Sequence, residues 1–368
     1  MRSLNHSDQQ HFLLCPFMAQ GHIIPMVDMA RLFARRGIYV SLVTTPLNAS
    51  RVRLAIDRAS CCYGLPIRLV ELCFPSAEAR VPEGCESFDM LPSTDHMEGF
   101  FEATELLKQP LEQFLSADRD FPPPTCVVSD TFLPWTLDVA RGLGIPRSAG
   151  PEEEMVAIPD VPCGLEMKRG QLLVSPSSVG LTEYEARMVK ADADSDGVVV
   201  NSFDEMEPQF VEAYERLIGK KVYNVGGDTV AQGGGRVRDA LWGNSTVEAL
   251  YAGVPMVTWP LFAEQFVNER VVVEVLKVGV RVGIEVRTGW GEKVVVGREE
   301  IGVALERVME GGEEGFERRR RVRETGEMAR KAMEVGGSSY GNMTRFIEEN
   351  VVVNGLGNRA MNGFECEF

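Results

Sequence analysis

The stretch "LWGNSTVEALYAGVPMVTWPLFAEQF", Leu241 to Phe266, decides how this chain is read. "GNSTVEAL" sets polar, cap-forming residues ahead of apolar ones at helical spacing, "VPMVTW" is a short apolar run, and the run ends on Glu264-Gln265. Loop, helix, buried strand and polar end in that order make one α/β unit of the kind that packs helices on a parallel sheet. In such sheets ligands sit at the carboxyl ends of the strands, so Glu264 and Gln265 fall on the chemical rim.

Working outward, the same alternation runs through the first two thirds of the chain. "HFLLCPF" (11–17), "IYVSLVTT" (38–45), "PIRLVELCF" (66–74), "TCVVSD" (125–130), "GVVVNSF" (197–203) and "KVYNV" (221–225) read as strands. "PMVDMARLFARRG" and "TLDVARGLG" read as helices, the first stopped by Gly37 and the second by Gly144 ahead of Pro146. Near-continuous apolar strands separated by helices imply a parallel sheet covered on both faces.

Two places break the rhythm. After "GLGIP" a strand is due, but "RSAGPEEEMVAIPDVP" is acidic and proline-punctuated and reads as a loop. After "KVYNVG" comes "GDTVAQGGGRVRDA", Gly-rich and polar like a linker. Beyond it only "VPMVTWP" and "VGVRVGIEV" are clear strands, with "KVVV" (293–296) as a possible edge, which is thin for a second doubly wound sheet. The expected organisation is an N-terminal domain over 1–225, a linker over 226–240, a shortened C-terminal domain over 241–350 and a loose tail over 351–368.

At 368 residues two domains are expected, each with its own core. A formal net charge of −16 argues against a general nucleic-acid or membrane-surface binder, since both need positive potential. The run Arg318 to Arg321 lies among Glu313, Glu314, Glu317 and Glu324 and reads as a solvated, salt-bridged helix face. Eight cysteines without C-x-x-C spacing suggest reduced, mostly buried thiols. With no signal pattern and no apolar run near ~18 residues, a soluble cytoplasmic protein is expected.

Of the four histidines, His6 lies in a polar leader, His11 opens a strand and His96 follows "PSTD" in a loop. His22, in "FMAQGHIIP", falls between the first strand and the first helix, where Gly21 would let the backbone turn tightly. An imidazole there can act as a general base, and it can equally be a helix-start histidine without a catalytic role. Asp130 ends a strand of the same sheet, where its carboxylate can orient that imidazole or cap the helix that begins near Pro134.

Ser245-x-x-Glu248 has the form of a capping box, and the same helix start is an anion site suited to a diphosphate. Glu248 can accept hydrogen bonds from ribose hydroxyls, and the acid-amide pair Glu264-Gln265 suits the hydroxyls of a sugar. Nothing calls for a metal. A nicotinamide-dependent dehydrogenase would also use a parallel sheet, but "FMAQGHIIP" carries one glycine where that fold needs G-x-G-x-x-G.

"FMAQGHIIPMVDMARLFARRG", "CVVSDTFLPW" and above all "GNSTVEALYAGVPMVTWPLFAEQFVNE" resemble the plant family 1 UDP-dependent glycosyltransferases of secondary metabolism, over roughly residues 10–145, 160–225 and 240–345. The resemblance implies a GT-B fold, two Rossmann-like domains facing across a cleft, with the C-terminal one incomplete here. It implies transfer of a sugar from a UDP-sugar to a hydroxyl of a small plant metabolite with inversion, the UDP-sugar being a co-substrate and no resident cofactor or metal being needed. A monomer is expected. "LVTTPLNASR" is similar to the subgroup acting on flavonoids, triterpenoids and plant hormones.

Carried over by motif, His22 falls on the catalytic base and Asp130 on its supporting acid. Asn244 and Ser245 fall on the phosphate-binding helix start, Glu248 on the ribose ligand, and Glu264 and Gln265 on the sugar-holding pair, with the final Gln pointing to glucose. The departures are as informative. No Trp-Ala-Pro-Gln stretch precedes the box, Ala240 stands where the family has a diphosphate-binding His, and the chain is roughly a hundred residues short of the two-domain pattern. A catalytically impaired paralogue, able to bind an acceptor but crippled in its donor half, is therefore the alternative to an active transferase.

Overall fold

The computed structural model describes residues 9–149, 182–206, 208–226, 245–261, 265–284 and 295–350. Strands β1 (His11–Cys15), β2 (Tyr39–Thr44), β3 (Ile67–Glu71), β4 (Cys126–Ser129), β5 (Arg147–Ala149), β6 (Gly197–Val200) and β7 (Val222–Asn224) form one sheet. Their order is β3-β2-β1-β4-β5-β6-β7, and every pairing is parallel. The chain winds outward from β1 to β3, then returns to lay β4 against the other side of β1. The crevice at the carboxyl ends of β1 and β4 is therefore the point where the winding reverses, and ligands of open α/β sheets bind at such points.

Helices α1 (Gln20–Arg35), α2 (Pro46–Asp57), α3 (Met97–Leu106), α4 (Lys108–Ala117), α5 (Thr136–Leu143), α6 (Thr182–Ala193) and α7 (Pro208–Ile218) accompany these strands. Strand β1 shows why its sequence is apolar at successive positions. Leu13 and Cys15 join a core with Phe100, Phe101 and Trp135, whereas Phe12 and Leu14 join another with Met26 and Phe33 of α1. A strand covered on both faces has no polar side to display. Helix α5 ends as expected, on Gly144 at φ 67, a left-handed conformation that glycine adopts without a side-chain clash.

The segment after Pro146, expected as a loop, begins instead with strand β5: Val127 to Ser129 pair with Arg147 to Ala149. The misreading has a physical cause. Arg147 and Ser148 are fully buried, and a buried strand that carries an arginine gives no apolar run to detect. The remaining stretch, 150 to 181, lies outside the described residues, as does all of the expected 226–240 linker but Gly226.

The second half holds α8 (Ser245–Ala252), β8 (Met256–Thr258), α9 (Gln265–Arg270), β9 (Gly279–Arg281), α10 (Arg298–Met309), α11 (Glu313–Met333) and α12 (Ser338–Glu349). Strands β8 and β9 pair in parallel and make a two-stranded sheet among the described residues. Of "KVVV", positions 293 and 294 lie outside the described residues, while Val295 is exposed and Val295 and Val296 belong to no strand.

Helix α11 crosses the end of α8 closely: a Cβ on Gly326 would stand 2.8 Å from the Leu250 carbonyl oxygen, so only glycine fits there. One turn on, the Arg330 guanidinium donates to the Tyr251 carbonyl at 2.8 Å and so satisfies a carbonyl near the carboxyl end of α8. Helix α12 packs on the first sheet. Phe346 meets Phe12 edge-on at 5.8 Å, Asn342 donates to Asp204 at 2.9 Å, and the Arg36 guanidinium lies 3.8 Å over the Tyr340 ring.

Two sequence readings are corrected by packing. In the arginine run, Arg320 pairs with Glu317 and Glu324 on the surface as expected, but Arg318 is buried and donates to Glu314 and to the Arg307 carbonyl. Among the described cysteines, Cys15, Cys85 and Cys126 are buried but Cys61, Cys62 and Cys73 are exposed. Cys61 and Cys62 lie on the π-helical turn that ends α2, and Cys73 lies just past β3, so none of these three is in the core.

Candidate active site

Asp130 follows β4 directly, and its N–H donates to the Cys15 carbonyl at the end of β1, 3.0 Å away. That bond continues the β1–β4 ladder by one residue and holds the carboxylate at the crevice. Its side chain is nearly buried and divided in use. Oδ1 accepts the Phe132 N–H at 3.0 Å, and Oδ2 lies 2.8 Å from Nδ1 of His22. Asp130 does not cap α5, whose N-cap is Trp135 without a side-chain cap; one of its oxygens instead closes the turn at Phe132, and the other faces the imidazole.

His22 reaches this point from the first turn of α1, where its own N–H donates to the Ala19 carbonyl at 3.0 Å. Gly21 is helical, not the tight turn expected; the chain changes direction two residues earlier, at Ala19, whose φ of −139° and ψ of 144° are extended. The imidazole is 17% exposed beside a carboxylate that is 2% exposed. Phe17 and Phe132 meet the ring edge-on at 5.5 and 5.6 Å. A carboxylate only accepts, so Nδ1 carries the proton of this hydrogen bond and the basic lone pair of the neutral ring is on Nε2. A buried carboxylate, an oriented imidazole and an apolar rim can together remove a proton from a hydroxyl placed at Nε2.

The other expected site residues are less closely assembled. Ser245 is exposed at the described start of α8, and the residues ahead of it lie outside the described residues, so the capping box falls partly outside them. Glu248 lies in the first turn of α8, half-buried, and burial pushes its carboxyl above the ordinary range. Gln265 lies in α9, and its Oε1 accepts the Leu261 N–H at 2.8 Å. Asn244 and Glu264 lie outside the described residues, as do Ala240 and Trp242. The structure thus brings His22 and Asp130 together directly. Among the described residues, no group of three or more His, Cys, Asp or Glu side chains is arranged to hold a metal.

Sequence reading missed the support beneath Asp130. Arg147 is completely buried; its guanidinium donates to the Asp130 carbonyl at 3.3 Å and pairs with Asp192 at 3.2 Å. Phe17 and Phe132 were also missed as walls of the imidazole, although both stand in the motifs quoted for it.

A family model described as UDP-glucoronosyl and UDP-glucosyl transferase matches residues 241–310. Over most of its length the chain is similar to UDP-glycosyltransferase 73E1 of Stevia rebaudiana, at 34% identity covering 92% of this chain and 96% of the relative. That alignment runs over 479 residues against 368 here, so more than a hundred of its positions have no counterpart in this chain. Among solved structures it is similar to Glycyrrhiza uralensis UGT73P12 complexed with glycyrrhetinic acid 3-O-monoglucuronide, with TM-score 0.77 and 25% identity over 93% of this chain and 95% of that one. It also shares its fold with Arabidopsis thaliana UGT89C1 complexed with quercetin, with TM-score 0.70 and 21% identity over 94% and 100%. Among the described residues no helix is long and apolar enough to cross a membrane.

Proposed function

The chain belongs to the plant family 1 UDP-dependent glycosyltransferases and has their GT-B fold, and on that premise we propose that its chemistry is inverting transfer of glucose from UDP-glucose to a hydroxyl of a small plant metabolite. The observation that carries this reading is the His22–Asp130 hydrogen bond of 2.8 Å at the reversal point of the sheet. His22 Nε2 takes the proton of the acceptor hydroxyl as its oxygen attacks the anomeric carbon. Asp130 stabilises the imidazolium that results. The helix start at Asn244-Ser245 offers N–H groups to the departing diphosphate, Glu248 accepts from ribose hydroxyls, and Glu264 and Gln265 hold the sugar. The ligands named for the two solved neighbours make flavonoid-like and triterpenoid-like acceptors the first to try.

A second reading is favoured by a specific observation, the more than a hundred aligned positions that have no counterpart in this chain; the family pattern, in which a diphosphate-binding histidine falls where this chain has Ala240, points the same way. On that reading the chain binds acceptors without turning them over. Glucosylation by the 368-residue chain, with UDP-glucose and a panel of flavonoid and triterpenoid acceptors, separates the two. Product formation that is abolished in His22→Ala supports the transferase; acceptor binding without product supports the impaired paralogue. A product whose anomeric configuration is retained would overturn the inverting mechanism.

A further inference from the structure

Arg147 is 0% exposed, and a fully buried guanidinium is costly unless every hydrogen bond it can make is answered. Here each of its three nitrogens donates, to partners on two stretches of chain, 130–136 and 191–195. Nη2 donates to the Asp130 carbonyl at 3.3 Å. Nε donates at 3.1 Å to the Thr136 hydroxyl, which lies 2.8 Å from the Ser129 hydroxyl and 2.7 Å from the Leu133 carbonyl. Nη1 pairs with Asp192 at 3.2 Å, and the other oxygen of Asp192 accepts the Thr131 hydroxyl. Nη1 also donates to the Ala191 carbonyl and the Ser195 hydroxyl, which ties the cluster to α6.

Three consecutive residues, Ser129, Asp130 and Thr131, are therefore each tied to Arg147, directly or through one side chain. Nothing in a strand-to-loop junction requires that density of polar contacts. The residue in the middle is the one whose carboxylate must meet His22, and a carboxylate displaced by even ~1 Å loses the alignment on which such a pair depends.

We infer that Arg147, with Asp192 and Thr131, is a positioning group that holds the Asp130 carboxylate on His22 and so selects the Nδ1–H tautomer of the imidazole. This rests on the proposed His22–Asp130 pair, and it adds a layer that neither residue's position reveals. Arg147 touches no substrate on this account. It acts by fixing the backbone at Asp130, while Asp192 keeps the guanidinium turned toward it and anchors the next residue along.

The test reads the tautomer and needs no turnover. Nitrogen-resolved spectra of the imidazole rings at neutral pH are recorded for the full chain, with the His22 signals identified by their loss in His22→Gln. Asp130→Ala defines the ring without its carboxylate. Thr131→Val removes one hydroxyl and Arg147→Lys keeps the charge while losing the fork of donors. Both are expected to raise the Nε2–H population of His22 several-fold toward the Asp130→Ala value. A wild-type tautomer in folded Thr131→Val and Arg147→Lys, with only a lower Tm, would make the cluster purely structural and overturn the inference. If Arg147→Lys does not fold, Thr131→Val decides alone. If Asp130→Ala itself leaves the tautomer unchanged, the underlying pair has failed, and that outcome is distinct from the others. Where turnover is measurable, Thr131→Val should lower kcat with KM held.

Discussion

Nδ1 of His22 and Oδ2 of Asp130 are 2.8 Å apart across 108 residues of sequence. They meet because β1 and β4 are neighbours at the point where the winding of the sheet reverses, and each residue follows one of those two strands. Asp130 follows β4 directly and His22 sits in the first turn of the helix that follows β1, so both are placed by elements of one sheet layer.

His22→Ala, in a chain with the unmatched positions of its relatives restored, should lower turnover by ~10²–10⁴-fold, the usual size of a general-base effect. Initial rates at saturating UDP-glucose and acceptor are the measurement. Near-normal turnover would remove His22 from the chemistry.

Asp130→Asn in the same restored chain should lower kcat far more than it raises KM, because the imidazolium exists only as the reaction proceeds. A change confined to KM would assign Asp130 to acceptor binding, or to the Phe132 turn alone.

The 368-residue chain should bind UDP-glucose weakly. On the proposed donor site, the Trp that opens the family's box and would stack on uracil has no counterpart, a contact worth ~1–3 kcal/mol. On the same proposal, Ala240 would forgo a diphosphate hydrogen bond worth ~1.5–3 kcal/mol when the donor is charged. Taken as independent, these correspond to ~10²–10⁴ in affinity. Calorimetric titration with UDP-glucose checks this, and micromolar binding would show that the remaining half of the donor site suffices.

Stability should fall with acidification through His11. This ring is buried, with Nδ1 2.6 Å from the Pro122 carbonyl and Nε2 2.8 Å from the Ser41 hydroxyl. Burial above all pushes its pKa down to about 4; the nearby Arg68 pushes the same way, while the Pro122 carbonyl and Asp118 oppose. The unfolded chain takes up a proton below about 6.5 that the folded chain refuses, so the contribution is complete above 6.5 and is lost as pH falls toward 4. Its full size is about 3 kcal/mol. In urea unfolding at several pH values, His11→Gln should lose stability less steeply over that range than the wild type. Parallel curves would show that His11 does not carry the dependence.

Phe346→Ala, in α12, should destabilise the N-terminal sheet by ~3–5 kcal/mol, since Phe346 is buried against Phe12, Phe33 and Tyr223. Hydrogen exchange at β1 and β7 amides reads this directly. Faster exchange confined to α12 would mean that the helix is a passenger on a core that stands without it.

The parallel sheet, most of its strands and the two ends of the His22–Asp130 pair follow from the sequence alone. Burial on both faces leaves near-continuous apolar runs, and turn residues mark where those runs stop. The same local logic fails at Arg147, where a buried strand carries a charge whose partners come from Asp130, Thr136, Asp192 and Ser195. No window of sequence around Arg147 contains those partners, so its strand reads as a loop and its role is invisible. Gly21 fails for a related reason: a glycine permits a tight turn without requiring one, and the path of α1 over the sheet put the bend at Ala19. Local spacing determines which residues can reach the carboxyl edge of the sheet. Only the order of strands decides which of them meet, because that order arises from long-range pairing and leaves no trace in the residues flanking either partner.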